Sequence, residues 1–80
     1  MMKRDTILIV DDMEVNRAIL HGVFETQYNL LEAENGEQAL NRMSDQIDLV
    51  ILDVMMPGIS GLRVCEEIRK TSTVPILFLT

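Results

Sequence analysis

Ile7-Leu8-Ile9-Val10-Asp11-Asp12 and, further along, Leu49-Val50-Ile51-Leu52-Asp53 are the two stretches that decide the fold. Each is a short, unbroken apolar run rich in β-branched residues, and each stops abruptly at acid. Runs of this kind read as strands buried on both faces, which are the strands of a parallel sheet. Side by side, two such strands bring Asp11, Asp12 and Asp53 to one edge. At an effective dielectric near 20, two like charges ~4 Å apart repel by ~4 kcal/mol. Clustered carboxylates therefore imply a bound cation, shared protons, or both.

The rest of the chain alternates around these runs. Residues 13–24 have helical spacing, with Val15, Ile19 and Val23 on one line and Leu20 and Phe24 beside it. Residues 28–33 read as a shorter strand, and Asn35-Gly36 as a turn. A second helix is expected over 37–43, with Ala39, Leu40 and Met43 inward, and a strand over 47–52. Pro57-Gly58 punctuates the loop after Asp53. Ser60 can cap a third helix over 61–70, with Leu62, Cys65 and Ile68 inward, and residues 74–79 form a fourth strand that ends at Thr80. The βαβαβαβ pattern predicts an α/β, doubly wound parallel sheet with helices on both faces. Sites in such sheets lie outside the carboxyl ends of the strands, where strand order reverses. Asp11, Asp12, Asp53 and Thr80 all follow strands directly and belong to that edge.

Composition narrows the function classes. Eighty residues make one domain at most. A net charge of −6 argues against a nucleic-acid-binding surface, whose footprint would be basic. One cysteine, Cys65, forms no internal disulfide and suits a reducing compartment. No apolar run reaches the ~18 residues of a membrane span, and the N-terminus lacks a signal-peptide pattern. A cytoplasmic protein, in contact with neither membrane nor nucleic acid, is the expectation. His21 reads as a solvated helix residue and Cys65 as core.

Three carboxylates with no His or Cys nearby in sequence favour a hard cation. Magnesium prefers oxygen ligands and keeps several waters, so two carboxylates and a backbone carbonyl suffice. A carboxylate held against such an ion can also attack a phosphoryl group, forming an acyl phosphate.

The residues Asp11-Asp12, Asp53-Val54-Met55-Met56-Pro57-Gly58-Ile59-Ser60-Gly61 and the strand ending in Thr80 together resemble the receiver domain of bacterial two-component response regulators. The resemblance runs over the whole chain, in order, and Asp-x-x-Met-Pro-x-x-x-Gly is its sharpest element. Asp11-Asp12-x-x-x-Asn16-Arg17 is also similar to receivers of hybrid kinases and cyclic-di-GMP regulators. The resemblance implies a flavodoxin-like fold, with the present strands in the order 2-1-3-4. It makes Asp53 the phosphoacceptor, taking its phosphoryl group from a sensor histidine kinase or a phosphotransfer protein. It makes Asp12 a direct Mg2+ ligand, Asp11 one acting largely through water, the Met55 backbone carbonyl a third protein ligand, and Thr80 the switch hydroxyl.

The resemblance further implies a fourth helix, fifth strand and fifth helix, with a lysine after the fifth strand, that residues 1–80 do not include. On that basis the 80 residues are an incomplete receiver domain truncated after the fourth strand. The third strand should then lose cover on the first helix's face. The fourth strand should become an apolar edge through which chains pair as a homodimer or a strand-swapped oligomer. Phosphoryl uptake should be weak, with magnesium binding partly retained. Two other functions compete: a Mg2+-dependent aspartyl-nucleophile phosphohydrolase, and a non-signalling self-associating fragment. Such hydrolases usually place an Asp two residues after the nucleophile, where this chain has Met55.

Overall fold

The computed structural model describes residues 3–79. The elements are β1 (Thr6–Val10), α1 (Glu14–Phe24), β2 (Asn29–Ala33), α2 (Gly36–Arg42), β3 (Leu49–Asp53), α3 (Gly61–Arg69) and β4 (Ile76–Leu79). The four strands form one parallel sheet in the order β2-β1-β3-β4. Strand order reverses at β1, which lies between β2 and β3, as the resemblance to receiver domains implies.

Side-chain parity along the strands separates two cores. Leu8 and Val10 of β1 and Val50 and Leu52 of β3 point to one face, where Ala39 of α2 and Val64 and Ile68 of α3 cover them. Ile7, Ile9 and Ile51 point to the other, against Leu20 and Phe24 of α1. The strands are therefore apolar throughout because both of their faces are covered.

Several boundaries move for local reasons. Asp48 stays outside β3 because its carboxylate accepts the Thr6 amide at 2.8 Å. Pro75 has no N–H to give, so β4 starts at Ile76. Asn35-Gly36 is a helix entry rather than a free turn: the Asn35 side chain accepts the Gln38 amide at 2.8 Å and caps α2. Ser60 caps α3 as expected, accepting from Arg63 N at 3.3 Å.

Two helix faces differ from expectation. In α3 the buried line is Gly61, Val64 and Ile68, while Leu62 is exposed. Gly61 sets this rotation. It lies so close to the end of β3 that a Cβ there would collide with the Asp53 carbonyl and stand 2.8 Å from Val54 Cα. In α1 the line Val15, Ile19 and Val23 is 57%, 60% and 62% exposed, and Leu20 and Phe24 alone make the core contact. Arg17 and His21, on the same side of the helix as Leu20 and Phe24, are tied to Glu32 of β2 and fix that orientation.

The expected loss of cover over β3 does not occur. Ile51 is only 2% exposed, because Leu20 and Phe24 on one side and Leu79 on the other pack against its cluster. Within β4, Leu77 and Phe78 are exposed, Ile76 and Leu79 are half-buried, and Val74 just before the strand is buried.

Candidate functional site

Adjacent strands β1 and β3 run in register, Val10 beside Leu52, so the residues that follow them emerge together. Carboxylate oxygens of Asp11, Asp12 and Asp53 lie within 4.8 Å of one another. The three residues are held differently. Asp11 is 2% exposed and has both carboxylate oxygens engaged: Oδ1 accepts the Met13 amide at 2.9 Å, and Oδ2 accepts Asn16 Nδ2 at 3.2 Å. Its backbone is held as well, its N–H donating to Ala33 O and its carbonyl accepting Arg17 Nη1 at 2.7 Å. Asp12 is exposed. Asp53 is half-buried, and its Oδ1 accepts the Met55 amide at 3.1 Å. Behind it, Val54 donates to Leu79 O and accepts from Gly61 N, which pins the end of β3 between β4 and α3.

The acidic pair after β1 does not cap α1. The N-cap is Met13, with no side-chain cap bond. The Asp11 carboxylate instead accepts from the Met13 amide and the Asn16 side chain.

Burial pushes the Asp53 carboxyl above its ordinary range. The Met55 amide opposes this, while the Asp11 charge and the hydrogen bond and charge of Asp12 reinforce it. Nothing cationic among the described residues is among the groups acting on Asp53. The cluster straddles the sheet edge. Asp11 and Asp53 line a cavity of about 280 Å³ with Asn16, Ile19, Leu20 and Leu79, and Asp12 opens into a second, of about 480 Å³, beside Glu34, Glu37 and Pro57. Three convergent carboxylates, one buried and two accessible, are an oxygen donor set of the kind a small hard cation takes.

Asp11, Asp12 and Asp53 are thus brought together as expected. Met55 sits next to them, its amide on Asp53 and its side chain in solvent. Thr80 lies outside the described residues. Residues that sequence reasoning gave no role in the site also converge there. Asn16 and Arg17 hold Asp11, and Arg17 Nε reaches Glu32 Oε1 at 3.1 Å. His21 is not merely solvated: its Nδ1 lies 3.0 Å from Glu32 Oε2 and its Nε2 3.4 Å from Glu25. The signal available in advance was the position of Asn16 and Arg17 one helical turn beyond Asp11-Asp12.

Residues 7–80 match the family model for the response regulator receiver domain. An uncharacterized transcriptional regulatory protein, YrkP of Bacillus subtilis, is 46% identical over 74 residues, covering 92% of this chain and 32% of that protein. The transcriptional regulatory protein ResD of the same organism is 42% identical over 76 residues, with 92% and 32% coverage. Among solved structures, the response regulator TrrA of Thermotoga maritima in complex with Mg2+-BeF superposes with a TM-score of 0.87 at 48% identity, covering 95% of this chain and 69% of that one. TrrA in complex with the histidine kinase ThkA gives a TM-score of 0.83, with 95% and 68% coverage. The chain belongs to the response regulator receiver family. It spans about a third of the length of the curated relatives it matches.

Proposed function

We propose that Asp53 is the phosphoacceptor of a phosphorelay and that Asp11, Asp12, Asp53 and the Met55 backbone carbonyl hold the Mg2+ it needs. The observation that carries this reading is the convergence of the three carboxylates at the β1/β3 edge, with Asp53 reachable from solvent and held by a single backbone amide on Oδ1. The donor is a phosphohistidine on a sensor histidine kinase or a phosphotransfer protein. A carboxylate oxygen of Asp53 attacks phosphorus, the phosphorus–nitrogen bond breaks, and the histidine leaves as the neutral ring after taking up a proton. Bound magnesium would supply the positive charge that offsets the transferring oxygens. Asp11 keeps the loop in shape, and Asp12 offers the second open carboxylate. The TrrA complexes, one with Mg2+-BeF and one with a histidine kinase, support the same cofactor and class of partner here. Thr80 serves as the switch hydroxyl in this reading, and the cytoplasm is its setting.

Intact-mass measurement after treatment with acetyl phosphate and Mg2+ tests the proposal. The expected result is a gain of one phosphoryl group that disappears in Asp53→Asn. Uptake is expected to be slow, since no cationic side chain among the described residues acts on Asp53. Modification that survives Asp53→Asn would overturn the assignment.

A further inference from the structure

Resting on that reading of the acidic site, we propose that Asn16 and Arg17 are its positioning residues. Asn16 orients the Asp11 carboxylate, and Arg17, braced by Glu32, holds the Asp11 backbone, so that Asp12 and Asp53 stand as the open pair. Neither residue touches Asp12 or Asp53 among the hydrogen bonds of the described residues; both act through Asp11.

The geometry argues for a device rather than a chance contact. A carboxylate as buried as Asp11 must have its lone pairs met. It receives two neutral donors, the Met13 amide and the Asn16 side-chain amide, one on each oxygen. The cation nearest to it, Arg17, is 12% exposed in its side chain, yet it is not spent on any carboxylate of the cluster. Its Nη1 goes to the Asp11 carbonyl at 2.7 Å and its Nε to Glu32 of β2 at 3.1 Å. The other Glu32 oxygen faces His21. The Arg17 charge is thus countered from β2, on the far side from Asp53. The cluster keeps its need for an external cation, while the loop that carries it is clamped at two points. A link that merely tied α1 to β2 would not require the contact to Asp11.

The test is titration of the full ¹⁵N-labelled chain with Mg2+, following the backbone amides of Met13 and Met55, with urea unfolding measured in parallel. The Met13 amide reports the Asp11 carboxylate directly, because it donates to Oδ1. Asn16→Ala and Arg17→Met are each expected to weaken Mg2+ binding about tenfold, as removal of a partner behind a metal ligand typically does. Both should also move the Met13 amide signal before any metal is added. Glu32→Gln should act in the same direction as Arg17→Met but less, and the double variant should be no worse than Arg17→Met alone. Unchanged Mg2+ affinity and an unmoved Met13 signal, with only the urea midpoint lowered, would overturn the proposal. Should Arg17→Met fail to fold, Asn16→Ala at its exposed position decides the matter alone. If the parent chain shows no saturable response to Mg2+, the metal-site reading fails, while the metal-free Met13 signal of the variants still decides whether Asn16 and Arg17 position Asp11.

Discussion

Asp53 combines burial with two carboxylate neighbours, and only the Met55 amide favours its charged form. Its pKa is therefore raised from 3.8, the folded state holds the proton more tightly than the unfolded chain, and the sign of the linkage follows. The associated stability is fully present below pH 3.8 and is lost as pH rises through the raised value. In metal-free buffer at neutral pH, Asp53→Asn should stabilise the chain, because it removes a charge that burial and two carboxylate neighbours disfavour. It should also flatten that part of the pH profile. Urea unfolding across the acidic range checks both. Because protons compete with the cation, Mg2+ affinity should fall as pH drops through the same window, as measured by titration. Gly61 is the other decisive residue at this scale. Its missing side chain lets α3 approach the Asp53 carbonyl, so Gly61→Ala forces backbone apart. The cost should be about 3 kcal/mol by urea unfolding, the upper end of ordinary overpacking.

Helix α1 shows why periodicity names an element more reliably than its orientation. It carries two apolar lines, and hydropathy alone favours the longer one, Val15-Ile19-Val23. The sheet takes the other. Arg17 and His21 reach Glu32 on β2, which turns Leu20 and Phe24 inward and leaves the longer line in solvent. Leu20→Ala should therefore cost about 2 kcal/mol, the low end for a partly buried leucine. Ile19→Ser should stay within about 0.5 kcal/mol, as exposed positions do. Equal losses in the two variants would show that α1 turns its longer apolar line toward the sheet. In α3 the same ambiguity between Leu62 and Val64 was resolved by the close approach of Gly61 to β3.

For the molecule as a whole, the described sheet has edges at β2 and β4. Along β4 the open row of backbone groups runs beside Leu77, which is 55% exposed on the α1 face, and Phe78, exposed on the other. Such an edge templates strand addition. Sedimentation of the 80-residue chain at micromolar concentration should show concentration-dependent association, reduced by Leu77→Lys. A folded monomer at all concentrations would contradict this. The strong cover over Ile51 indicates that association is not needed to bury β3, since Leu20, Phe24 and Leu79 already do so.

The sequence by itself determined the parallel α/β order, the strands buried on both faces and the three acids at one edge. These follow from apolar continuity, element alternation and the place where each run stops, all of which are local properties of the chain. Only the tertiary structure decided how the acids differ: Asp11 sealed in by Asn16 and Arg17, Asp12 open, and Asp53 half-buried with its pKa raised. It also decided which lines of α1 and α3 face the core. Burial, hydrogen-bond partners and helix rotation depend on contacts between elements, such as Arg17 of α1 with Glu32 of β2, which apolar periodicity along one element does not encode.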